Sequence, residues 1–138
     1  MPTDALQVTL QAMEETRQRG FERLRQQQWE LGEAVRTLMQ RQGYPSVAAD
    51  GFRAPGVVVS YTDDADMQSS KAFLGLGLQT ASGVPLQCDE GADFRTFRIG
   101  LFGLDKLGHT ERTLKPLEQA LNTIAQGRAA AAMPAKAA

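Results

Sequence analysis

Thr96-Phe97-Arg98-Ile99-Gly100-Leu101-Phe102-Gly103 reads as a strand and sets the frame for the rest of the chain. Phe97, Ile99 and Leu101 alternate with Thr96, Arg98 and Gly100, and a two-residue period with one apolar face marks a half-buried strand. On the other face Arg98 stands between a small polar residue and a glycine, so a long cation rises over a low backbone floor. An arginine on the wet face of an antiparallel strand is ordinarily just solvated. The same placement also leaves its planar fork room to receive a flat anion, which a carboxylate matches with two parallel hydrogen bonds.

Upstream, Thr3 or Asp4 can cap a first helix that carries Leu6, Leu10 and Met13 at helical spacing. Gly20 breaks it. A second helix runs from about Phe21 to Gln42, with Phe21, Leu24, Leu31, Val35 and Leu38 on one stripe and Trp29 and Met39 widening it. Its polar breaks argue for a surface helix packed on a sheet rather than a coiled coil. Gly43-Tyr44-Pro45 ends that helix. After a connector over 46–56, the β-branched run Val57-Val58-Val59-Ser60-Tyr61 reads as a strand. Thr62-Asp63-Asp64 caps a helix carrying Met67, Phe73 and Leu74, and Asp63, with Asp66 three residues on, resembles a capping box. Gly75-Leu76-Gly77 follows a helix, not a strand, so it reads as a helix end and a turn rather than a phosphate cradle. A short strand over Leu78 to Ala81, a turn at Gly83-Val84-Pro85 and an acidic loop from Gln87 to Asp93 lead into the Arg98 strand. Leu104 to His109 is a connector, with His109 at its surface. Thr110 caps a last helix with Leu114, Leu117, Leu121 and Ile124 on one face and Pro116 inside it. From Gly127 the alanine-rich end reads as a disordered tail over 127–138.

The order helix, helix, strand, helix, weak strand, strand, helix gives an α+β fold, a small and mostly antiparallel sheet with helices on one face, preceded by a long helical segment over 3–42. The 138 residues suit one domain, spanning 1–126 before the tail. The formal net charge of −1, with no basic patch interleaved with aromatics, does not suggest nucleic acid as a partner. One cysteine rules out an internal disulfide framework, and a single histidine disfavours a His/Cys zinc site. Cys88 reads as a small loop or core residue rather than a nucleophile. No apolar run approaches the length of a membrane span, and the N-terminus shows no apolar signal segment, so a cytoplasmic setting is the expectation.

Gly83-Val84-Pro85-Leu86-Gln87-Cys88-Asp89-Glu90, followed by Phe94-Arg95-Thr96-Phe97-Arg98-Ile99-Gly100-Leu101-Phe102-Gly103, resembles the C-terminal domain of class V, pyridoxal-phosphate-dependent aminotransferases of the alanine–glyoxylate and serine–pyruvate type. The resemblance covers about Pro2 to Gln126. It implies the α+β small domain of fold-type I aminotransferases, with Arg98 at the place of the arginine that binds the substrate α-carboxylate. Family members are far longer, so the chain reads as the small domain without its large domain. The resemblance then implies that the open sheet face meets that large domain, and that the parent enzyme is a homodimer moving an amino group between alanine or serine and glyoxylate or pyruvate. It places pyridoxal phosphate outside this chain. The family's tyrosine and threonine near the cofactor phosphate precede the segment matched by Met1 to Leu6, and Lys71, Lys106, Lys115 and Lys136 have no setting like the family's cofactor lysine. No catalytic, cofactor-binding or metal residue is therefore expected here, only Arg98 as a substrate-binding one. The alternative is a non-enzymatic interaction module that uses the stripe Phe21, Leu24, Leu31, Val35 or the open sheet face.

Overall fold

The strand at Arg98, β3 (Thr96–Gly100), is the middle of a three-stranded antiparallel sheet. The computed structural model describes residues 3–132. β1 (Val57–Tyr61) flanks β3 on one side, with Val58 opposite Ile99 and Ser60 opposite Phe97. The two-residue β2 (Ala81–Ser82) flanks it on the other, with Ala81 opposite Arg98. Residues directly opposite in an antiparallel pair share a face. Val58, Ser60, Phe97 and Ile99 thus make one face, and all four are buried. The α+β architecture expected from the alternation is the one observed, with the helices packed on that face.

The helices follow from the sequence pattern. α1 (Thr3–Arg19) and α2 (Phe21–Arg41) are separated by Gly20, whose φ of 85° lies in the left-handed region that favours glycine. Thr3 and Asp4 lie within α1 rather than ahead of it. α2 ends in a Schellman motif: the Tyr44 N–H donates to the Met39 carbonyl at 2.9 Å and the Gly43 N–H to Gln40 at 3.1 Å. Leu31, Val35, Leu38 and Met39 of α2 meet Phe73, Phe97 and Leu121 in one core. Tyr44 and Phe73 both stack on Phe97, edge-on at 5.7 Å and tilted at 5.4 Å.

Further expectations are corrected. The short strand expected over Leu78 to Ala81 lies at Ala81–Ser82, and the Arg98 strand ends at Gly100, not Gly103. The helix after β1 is two short ones, α3 (Ala65–Gln68) and α4 (Lys71–Leu74), with Ser70 at φ 66° between them. The cap of α3 is Asp64, whose carboxylate accepts from the Asp66 and Met67 amides; Asp63 instead pairs with Arg128 through both oxygens at 2.8 Å. The connector after β3 holds a further helical turn, α5 (Leu104–Leu107).

The last helix, α6 (Thr110–Ala132), does not stop at Gln126. It takes in 127–132, which the sequence reading gave to a disordered tail; residues 133–138 lie outside the described residues. Alanine has the highest helix propensity, and the Asp63–Arg128 pair ties the extension to the end of β1. Thr110 is the first helical residue. Pro116 removes one donor without ending the helix, because Leu117 and Leu121 remain locked in the core.

Candidate functional site

Arg98 stands on the sheet face opposite the buried one, which no helix among the described residues covers. Its neighbours there follow from the register: Val59 across on β1, Ala81 across on β2, Thr96 and Gly100 along its own strand. The side chain is half-buried. Its Nε donates to the Ser82 carbonyl at 3.0 Å. Among the described residues no carboxylate pairs with Arg98, so the two terminal nitrogens keep their donors for a ligand. A guanidinium pinned at Nε presents that terminal edge in a fixed direction, which is the geometry two parallel bonds to a carboxylate need.

The surroundings of Arg98 differ in part from the sequence expectation. Gly100 is open, and the Phe102 ring lies close to both Gly100 and Gly56. Thr96 is 2% exposed rather than open. The backbone turning out of β2 covers it: a Cβ at Gly83 would fall 1.8 Å from the Thr96 carbonyl oxygen, so only glycine passes there. Tyr61, 40% exposed, stacks edge-on against Phe94 at 5.8 Å on the same face.

A cleft of about 610 Å³ opens beside Thr96, under the loop over 83–93. Arg98 does not line it, and Asp89 and Glu90 make its wall acidic, so a carboxylate ligand is not drawn there. Glu90 is already engaged. It accepts from the Gln87 and Cys88 amides at 2.9 and 2.8 Å and from the Leu86 amide, and these backbone donors, Cys88 first, hold its carboxyl down at about 2. Cys88 is exposed, and its thiol is pushed up, first by desolvation and then by Glu90, which disfavours the thiolate a nucleophile needs.

Among the described residues no lysine offers the setting that pyridoxal phosphate needs. A cofactor lysine has to be desolvated and free of other partners. Lys71 and Lys115 are exposed on α4 and α6. Lys106 is held by the Phe102 carbonyl at 2.9 Å, and Lys136 lies outside the described residues. Among the described residues no group of three or more His, Cys, Asp and Glu side chains is placed to hold a metal ion. No helix among them is long and apolar enough to cross a membrane. His109 is exposed between α5 and α6.

Sequence reasoning put Arg98 on the open face of the strand but not against the Ser82 carbonyl, because a backbone acceptor carries no residue signature. The close pass of Gly83 over Thr96 was in principle legible from Gly83-Val84-Pro85, a glycine where the chain leaves a strand. No protein-family model and no curated protein matches this chain.

Proposed function

We propose that the chain is the substrate-carboxylate-binding small domain of a pyridoxal-phosphate-dependent aminotransferase acting on a small amino acid, alanine or serine, and a 2-oxo acid, glyoxylate or pyruvate. The observation that carries this reading is Arg98: a guanidinium fixed at Nε by Ser82, free at its terminal edge, on the uncovered face of the sheet. The likeness of Thr96-Phe97-Arg98-Ile99-Gly100 to the aminotransferase arginine motif supports it. Arg98 holds the carboxylate and so orients the substrate. The cofactor and its lysine belong to a large domain seated on this face, whose apolar members Val57, Val59, Tyr61 and Ala81 border Arg98. The parent is a cytoplasmic homodimer in this reading.

Complementation tests it. The chain alone, with pyridoxal phosphate, has no transaminase activity, and borohydride labels none of its lysines stoichiometrically. Joined to a lysine-bearing large domain of the class V type, it supports transfer from alanine to glyoxylate. Activity of the isolated chain, or none in the joined protein, overturns the proposal.

The rival reading, a free-standing interaction module, loses part of its support. Leu24, Leu31 and Val35 are buried in this chain's own core, and of that stripe Phe21 alone is exposed. The open sheet face remains to it.

A further inference from the structure

β2 stops two residues short of the end of β3, and a pocket of about 410 Å³ fills the gap. The hydrogen-bond parity of the sheet says what faces it. The Leu101 N–H donates to Gly56 on the β1 side, and the Arg95 carbonyl accepts from Thr62 on the same side. Odd-numbered residues of this strand therefore turn their backbone groups to β1, and Thr96, Arg98 and Gly100 turn theirs to β2. Arg98 finds Ala81 there. Gly100 would need Gln79, which is no longer strand, so its N–H and carbonyl point at the pocket without a ladder partner.

The pocket has a second unmatched group. Thr80 lines it, and the Thr80 hydroxyl oxygen is buried with no hydrogen-bond partner among the described residues. Buried polar atoms are normally paired, so the Thr80 hydroxyl points to an absent partner, and the exposed Gly100 N–H beside it is free to donate to the same group. Lys106 and Arg112 stand at the rim with one acid, Asp105, 3.9 and 3.8 Å from their nitrogens, leaving one net positive charge. The floor is apolar: Val35, Leu78 and Leu117. One charge and two neutral donors, beside the solvent-accessible Gly100 carbonyl, over an apolar floor suit a monoanion with a short hydrocarbon body.

We propose that this pocket binds a small aliphatic carboxylate, its head on the Gly100 amide, the Thr80 hydroxyl and the Arg112 guanidinium, its chain over Leu78 and Leu117. The site is separate from Arg98 and does not rest on the aminotransferase reading.

The test is amide-resolved NMR titration of the chain with hexanoate, acetate, hexylamine, hexanol and inorganic phosphate. Hexanoate shifts Gln79, Thr80 and Gly100 saturably. Acetate, without the tail, and hexylamine and hexanol, without the anion, bind at least about tenfold more weakly. The double variant Lys106→Gln with Arg112→Gln loses about tenfold in hexanoate affinity, and Thr80→Val, which removes the orphan hydroxyl at nearly constant shape, weakens it in a chain that stays folded. Phosphate binding as tightly as hexanoate, equal binding of hexanol or hexylamine, shifts centred on Arg98 instead, or no saturation each overturns the assignment.

Discussion

The Nε of Arg98 and the carbonyl oxygen of Ser82 lie 3.0 Å apart across the β2–β3 pair. β2 is only two residues long, so the direction of the Arg98 fork depends on a very short element. That element is held by Gly83: its amide donates to the Gln68 carbonyl at 3.0 Å, and its α-carbon passes against the Thr96 carbonyl.

Gly83→Ala should therefore destabilise the chain. The added methyl would meet backbone, which moves only with the strand. Overpacking of this kind costs about 1–3 kcal/mol. Gly91→Ala, where a Cβ meets nothing within 4 Å, is the control and should stay within about 0.5 kcal/mol. Urea unfolding measures both.

Arg36→Met should lower stability by about 2 kcal/mol. Arg36 is 7% exposed, and its guanidinium donates to the Val57 carbonyl at 3.2 Å and to the Ala54 carbonyl, stitching the connector to α2. A charged hydrogen bond contributes about 1.5–3 kcal/mol, and the orphaned carbonyls add to the loss. Relief of the guanidinium's desolvation, which lowers its pKa, offsets part of it. Denaturant melts that show no change would contradict this role.

The reach of sequence reasoning has a physical boundary here. Phe97, Ile99 and Leu101 announced their buried face because alternation is a one-dimensional signal, and all three are buried. The α2 stripe did the same with period 3.6. Asp63-Asp64 defeated the reading because either carboxylate can cap, and the choice was made by Arg128, sixty-five residues away. Thr96 read only as a small neighbour of Arg98, and its burial under the Gly83 backbone was not drawn from the sequence. The extension of α6 through 127–132 was lost because alanines favour a helix as strongly as they fail to bury one. At the site, Arg98 was legible as a cation on an open face; its aim, set by a main-chain oxygen, was not.

Acid should loosen the 83–93 loop first. Glu90 is held down at about 2 against an ordinary value near ~4.3. A carboxylate lowered in the folded state stabilises it above the unfolded value, and that contribution is lost as pH falls from there through the folded one. The protection of the Leu86, Gln87 and Cys88 amides, relative to their free-peptide exchange at the same pH, should fall across that window. Asp63, lowered chiefly by Arg128, titrates in the same direction but reports at α6. Glu90→Gln should show the reduced protection already at neutral pH; protection unchanged in that variant would remove Glu90 from this role.

The isolated chain should self-associate through α1. None of its residues is buried, and Leu6, Val8, Leu10 and Met13 are 51–66% exposed. A helix of this length is marginal in water without packing. Sedimentation should show mass rising with concentration, and the double variant Leu10→Glu with Met13→Glu should abolish the rise. A clean monomer at high concentration would count against it.

On the proposed aminotransferase function, Arg98→Ala in the protein joined to its large domain should cut kcat/KM for amino-acid substrates by at least about 10- to 100-fold. Truncation removes both bonds to the carboxylate, and one charged hydrogen bond is worth about 1.5–3 kcal/mol. Arg98→Lys should restore only part, since it keeps the charge but neither the fork nor the Nε bond to Ser82 that aims it. Stability should hold, because Arg98 sits on the uncovered face and its loss leaves only the Ser82 carbonyl to water. A merely solvated arginine requires the reverse pattern: unchanged kinetics in both variants. Steady-state kinetics alongside thermal melts separate the two, and a folded Arg98→Ala enzyme with unaltered kcat/KM would remove Arg98 from substrate binding.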